Sequence, residues 1–272
     1  MSDLDTRAQV RYVVPTGERP VYIASTPGAD AALDIGANFE DHEVDILDAR
    51  PLAPGASLDR QGFSLVKHVT VVADFYKLEA QQADYEKETT ALVLAATGAS
   101  DAMVFDHTLR SDSRALRGTR STREPASVIH NDYTDASARK RLLDLLPAAD
   151  AEKRLEKRFA IVNLWRSVAG VVHSSPLACC DAATLAPGDL IASERQAKDR
   201  IGELELVAFN PAHRWYYYPA MTAEEALLIK TFDAATDGRA RRSIHTAFEN
   251  PLAPPDAPPR ESIESRLLVF FD

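Results

Sequence analysis

Short runs rich in β-branched and aromatic residues recur along this chain, cut by proline, glycine, asparagine or aspartate, and that rhythm leaves few folds open. VRYVV, RPVYIA, HEVDIL and FSLVKHVTVV come first, with PTGE and ARPLAPGAS among them. Beyond Arg158 the pattern returns in FAIVNLWRS, GVVHSSPLACCD, GDLIAS, ELELVAFN, RWYYYPA, RSIHTAFE and RESIESRLLVFF. Many short strands at this spacing predict a mainly β protein, built as a closed or two-sheet antiparallel barrel. The stretch NPLAPPDAPPR holds five prolines and cannot join a sheet ladder, so it is an extended connector before the last strand.

A few segments break the β rhythm. From about Asp74 to Gly98 apolar residues fall at helical spacing in a polar background and the run ends in glycine, which predicts one long surface helix. ARKRLLDLLP, just after the triplet His130, Asn131, Asp132, predicts a short helix stopped by Pro147. RSDSRALRGTRSTREP is polar and basic and reads as a mobile loop or lid. In MTAEEALLIKTF, Thr222 precedes Glu225 by three positions, the capping-box spacing, and the local signal is helix. No internal repeat and no heptad array is present.

At 272 residues the chain is long enough for a sizeable core, and barrels of this length form one domain. A formal net charge of -10 argues against nucleic acid and acidic membranes as partners. No run of about 18 apolar residues exists for a membrane span, and MSDLDTRAQVRYVV lacks the pattern of a secretory signal, which predicts a cytoplasmic protein. Cys179 and Cys180 are the only cysteines; a bridge between neighbours would be strained, so they read as buried apolar residues. The sequence fixes no oligomeric state, a homodimer included.

Of the seven histidines only His130 has a carboxylate two positions on, at Asp132. A strand places i and i+2 on one face, so both side chains point into the same space, as two ligands of one metal require. About one such pair is expected by chance in this composition, so position must add weight. His245, in a separate later strand, is the third candidate ligand. Two imidazoles and one carboxylate leave three positions open on octahedral Fe(II), enough for a bidentate keto acid and then O2. In the last strand Arg260, Ser262, Glu264 and Arg266 alternate onto one face, and an arginine fork beside a hydroxyl suits the distal carboxylate of 2-oxoglutarate.

Ordered blocks from FDHTLR to the C-terminus carry a resemblance to a known family. They are HNDYT, NLWR, PLACCD, NPAHRWYYYPAM, EEALLIKTFD, HTAFENP and APPRESIESR. With them the chain resembles the small bacterial and fungal non-haem iron oxygenases of natural-product pathways, which include the cephamycin 7-hydroxylation component and fungal meroterpenoid and aspergillic-acid oxygenases. The resemblance implies a double-stranded β-helix, the cupin-like jelly roll, with flanking α-helices and with His130, Asp132 and His245 on the metal. Residues 126–272 would form the jelly-roll core and 1–125 the N-terminal strands, helix and lid loop. It also implies that EEALLIKTFD is a strand, against the local helix signal. The R-x-S spacing of Arg260 and Ser262 looks like the family's cosubstrate-carboxylate motif, but the fifteen-residue gap from His245 is long, and Arg260 and Arg266 both stay candidates. Ser167 stands where proline is expected after NLWR.

Asn163 and Arg166 lie on a strand that would line or flank the barrel and are candidates for anchoring cosubstrate or substrate. In the aromatic run Trp215 to Tyr218 one face alone can look inward; Tyr217 is the candidate for hydrogen-bonding a bound acid. His107 has no carboxylate at i+2 and reads as a satisfied buried histidine. The expected activity is hydroxylation, desaturation or cyclisation of a small-molecule substrate by an oxidoreductase that converts 2-oxoglutarate and O2 to succinate and CO2. Two rival readings are a cupin-like iron dioxygenase without 2-oxoglutarate and a non-catalytic accessory protein of another biosynthetic enzyme.

Overall fold

In the computed structural model, which describes residues 2–197 and 200–272, the predicted β rhythm becomes fifteen strands. The chain opens with β1 (Thr6–Val13), β2 (Val21–Ile23), β3 (Asp34–Gly36), β4 (Phe39–Asp48) and β5 (Phe63–Lys67). Asp74 then caps a short 3-10 turn at Phe75–Ala80, which precedes α1 (Gln82–Thr97). The predicted single helix is therefore two pieces, broken at Gln81, and α1 ends on the left-handed Gly98 as its C-cap. Next come β6 (Asp101–Ser111), α2 (Arg114–Arg120), β7 (His130–Asn131), α3 (Asp135–Leu145) and α4 (Ala148–Leu155). The remainder is β8 (Phe159–Ser167), β9 (Leu177–Cys180), β10 (Leu190–Ala197), β11 (Arg200–Val207), β12 (Trp215–Tyr217), β13 (Glu225–Asp233), β14 (His245–Ala247) and β15 (Glu261–Phe270).

Two sheets face each other. The larger has ten strands in the order β1-β4-β12-β9-β14-β7-β11-β10-β2-β3, and the smaller has five, β5-β13-β8-β15-β6. Between them sits a core that draws Trp165 from β8, Leu227 and Ile229 from β13, Cys179 from β9 and Ala247 from β14. The large sheet also curls on itself, since the Ile129 amide donates to the Arg11 carbonyl and brings β1 round to the segment before β7. Tyr12, Trp215, Tyr217 and Phe248 fill that second core. Strand β8 is buried along its whole length because its other face lies under α1, where Val93 packs on Val162, Leu164 and Leu228. Helices α3 and α4 close one end over Phe159, Ile161 and Phe232. Two facing, largely antiparallel sheets with flanking helices make this a jelly roll. Among the described residues no helix is long and apolar enough to cross a membrane.

Two local expectations give way. The basic segment after β6 is not irregular throughout: Ser113 accepts from the Leu116 amide and starts the seven-residue α2. At residues 222–233 half of the capping box does form, with the Thr222 amide donating to Glu225, but the Glu225 amide turns back to the Thr222 carbonyl. The chain then runs extended as β13, paired with β5 on one side and β8 on the other. All nine residues of β13 are buried, so the strand satisfies two ladders and two apolar faces at once, which a helix could not do. Leu228→Ala opens a void in the layer under α1, and urea denaturation is expected to show a loss of about 2–4 kcal/mol.

Candidate metal centre

β7 is two residues long, yet it is clamped between β14 and β11. The register makes His130 and His245 direct cross-strand partners, which puts their rings on one face with centroids 4.5 Å apart. Each ring Nδ1 lies next to the carbonyl two residues back, His130 at 2.8 Å from Val128 and His245 at 3.1 Å from Ser243. A carbonyl only accepts, so Nδ1 carries the proton in both rings and both Nε2 lone pairs are free to ligate. Burial, and then the neighbouring His130, push the His245 imidazole down to about 4, so it is neutral at pH 7.

Asp132 completes the group, with Oδ1 3.5 Å from His130 Nε2. The three ligating atoms all lie within 4.8 Å of one another, and no other such cluster of His, Cys, Asp or Glu occurs among the described residues. Asp132 Oδ2 accepts from Asn163 Nδ2 at 2.7 Å and from Arg266 Nε at 3.0 Å, which leaves Oδ1 turned toward the histidines. Burial by itself would raise this carboxyl, but the Arg266 charge holds it well below the usual range. Asn131, between the two, points the other way, donating to the Tyr133 carbonyl and to Glu205. Two imidazoles and one carboxylate are the donor set of a ferrous facial triad.

Arg266 on β15 and Arg260, the residue just before that strand, are unalike. Arg266 is surrounded by acids, Asp132 at 3.0 Å, Asp106 at 2.6 Å and Glu264, and despite burial these hold its guanidinium above its ordinary value. Arg260 is more deeply buried and forms no ion pair among the described residues. Its Nη1 donates to the Ser175 carbonyl at 2.6 Å, its Nε to Ser262 Oγ at 3.2 Å, and its guanidinium stands 5.3 Å from the Trp165 ring. Burial, then the charge of Arg110, push it down to about 9.

Two other candidates lie elsewhere. On β8, Asn163 and Trp165 face the barrel, so Arg166, three positions from Asn163, must face α1; its Nη2 donates to the carbonyls of His68 and Ala223. On β12 it is Tyr216 that pairs with Cys179, itself opposite His245, so Tyr216 shares the metal face. Tyr217 points into the second core, where its hydroxyl donates to the Leu4 carbonyl at 2.7 Å and its ring meets Phe248. His107 is satisfied by Ser265 and Glu86, and both cysteines are free and buried. Tyr22 of β2 and Arg195 of β10 reach the neighbourhood of Asp132, which no motif in their surroundings announces.

Two facing sheets with a His-x-Asp pair at the end of one strand and a histidine across the ladder define a jelly-roll non-haem iron oxygenase. The family model described as "Oxidoreductase/YMDC permease-like domain" matches residues 10–270. The hydroxylase/desaturase efuI of Hormonema carpetanum is 34% identical over 79% of this chain and 79% of its own. The Fe(II)/2-oxoglutarate-dependent dioxygenase nvfI of Aspergillus novofumigatus is 32% identical over 86% of this chain and 84% of its own. A solved structure of the iron and alpha-ketoglutarate-dependent endoperoxidase NvfI superposes with a TM-score of 0.85, at 29% identity over 99% of both chains. The chain belongs to this family of Fe(II)/2-oxoglutarate-dependent dioxygenases of natural-product biosynthesis. It is an oxidoreductase whose cofactors are iron and 2-oxoglutarate, and the two rival readings of the sequence fall away.

Proposed function

We propose that His130, Asp132 and His245 hold the ferrous ion, that Arg260 with Ser262 grips the distal carboxylate of 2-oxoglutarate, and that the reaction is oxygenation of a small-molecule natural-product intermediate. Iron, 2-oxoglutarate and dioxygen together supply an oxidant able to take hydrogen from an unactivated carbon. The rest is done by the chain. His130 and His245 present their Nε2 atoms because their Nδ1 protons are spent on carbonyls. Asn163 and Arg266 fix the rotation of Asp132, and Glu264 and Asp106 in turn hold Arg266.

The observation that carries the cosubstrate assignment is the buried guanidinium of Arg260, which forms no ion pair among the described residues. A cation kept from water without a counter-ion is costly, and an arriving carboxylate removes that cost. Arg266 has no such need, since its acids already neutralise it. The two free, buried cysteines fit a reducing compartment, the cytosol.

The direct test is anaerobic. Protein with ferrous iron is expected to develop a visible metal-to-ligand charge-transfer band when 2-oxoglutarate is added, and to form succinate under air; a wild type that binds iron but shows neither sinks the reading. Asn163→Ala removes one of the two donors on Asp132, and iron affinity is expected to fall about 10–100-fold with little change in affinity for 2-oxoglutarate. Equal loss of both would remove Asn163 from this role.

A further inference from the structure

Beside the metal centre lies a cavity of about 430 Å³ where the β6 edge of the small sheet meets β10 and β11 of the large one. Four arginines line it from separate parts of the chain: Arg123 before β7, Arg141 from α3, Arg195 from β10 and Arg200 from β11. None of them forms an ion pair among the described residues, and the buried Arg141 Nε has no hydrogen-bond partner. The one acid on the cavity wall, Asp106, is already taken by Arg266. Such a gathering is out of keeping with a chain whose net charge is -10. Burial, then the charge of a neighbouring arginine, lowers the guanidinium pKa of Arg123, Arg141 and Arg195.

We propose that this cavity is the substrate pocket and that the substrate is an organic polyacid, a carbon skeleton bearing two or more carboxylates that these arginines grip. The proposal rests on the iron and 2-oxoglutarate reading. Position supports it: Asp106 accepts from Arg266, and Arg266 donates to Asp132, so the cavity is one side chain away from a metal ligand. Planar guanidinium forks match carboxylate edges. The cluster is distinct from the cosubstrate grip, because neither Arg260 nor Ser262 lines this cavity.

The test uses the full chain with ferrous iron and saturating 2-oxoglutarate under argon, titrated calorimetrically with benzene-1,3,5-tricarboxylate, its uncharged triamide, or inorganic phosphate. One equivalent of the tricarboxylate is expected to bind, weakening with added salt, while the triamide does not bind. Arg195→Gln and Arg200→Gln are expected to weaken the tricarboxylate at least about tenfold, Arg195→Lys less, with 2-oxoglutarate affinity unchanged. Both Gln variants are also expected to melt at or above the wild-type temperature without ligand, since each relieves repulsion; a purely structural arginine would lower it. No saturable binding of the tricarboxylate, equal binding of the triamide, or loss of 2-oxoglutarate affinity in these variants overturns the proposal. Phosphate binding tighter than the tricarboxylate overturns the carboxylate class in favour of a phosphate ester. A wild type without the charge-transfer band strikes the iron reading instead, and the anion titration on the same sample still reports on the pocket.

Discussion

Asp132→Ala is expected to lose ferrous iron and to turn over at least about 1000-fold more slowly than the wild type. Asp132 supplies the only negative charge among the three proposed ligands, and two imidazoles alone hold a ferrous ion weakly against water. Altering a residue that merely orients a ligand costs about 10–100-fold, so removing the ligand itself must cost more. The fold should survive, because Arg266 keeps Asp106 and Glu264 as partners. His130→Ala and His245→Ala should behave alike, since each removes one nitrogen from the same cross-strand pair. The measurements are anaerobic iron titration, succinate formation and a metal-free melting curve. Iron affinity within a few-fold of wild type in Asp132→Ala would refute the triad.

Arg260→Met should raise the KM for 2-oxoglutarate about 100- to 1000-fold, since a charge-assisted contact of this kind made out of water is worth about 3–4 kcal/mol. Iron binding should be unchanged, because Arg260 touches neither histidine nor Asp132. Without cosubstrate the variant should be more stable than wild type, by about 1–2 kcal/mol, because an apolar chain of similar length replaces a buried unpaired cation. With iron present, 2-oxoglutarate at a hundred times its Kd should stabilise the wild type by about 2.7 kcal/mol and leave the variant unmoved. Arg266→Met makes the contrast: it strips a counter-charge from Asp132 and should destabilise the protein. If Arg266→Met rather than Arg260→Met abolishes the response to 2-oxoglutarate, the assignment is reversed.

Legibility in the sequence followed separation along the chain. His130 and Asp132 could be paired because i and i+2 share a face in any extended segment. The same parity rule argues against placing Arg166 beside Asn163, three positions apart on one strand, and the structure turns them to opposite faces. Tyr217 could not be oriented in advance, since which residue of WYYY looks inward depends on the register of β12 against β9. The strand at Glu225–Asp233 was invisible to local rules because its capping signal is real; two neighbouring ladders overrode it.

By itself the amino-acid order determined a β-rich barrel, a His-x-Asp pair aimed into common space, and an R-x-S fork on the last strand. Only tertiary structure decided that His245 stands across the ladder from His130, and that Arg266 is neutralised while Arg260 is not. It also gathered four arginines from remote segments around one cavity. The physical reason is range. Side-chain alternation is set by the backbone of each strand, whereas the charge a buried group feels is set by whichever strands the sheets bring against it.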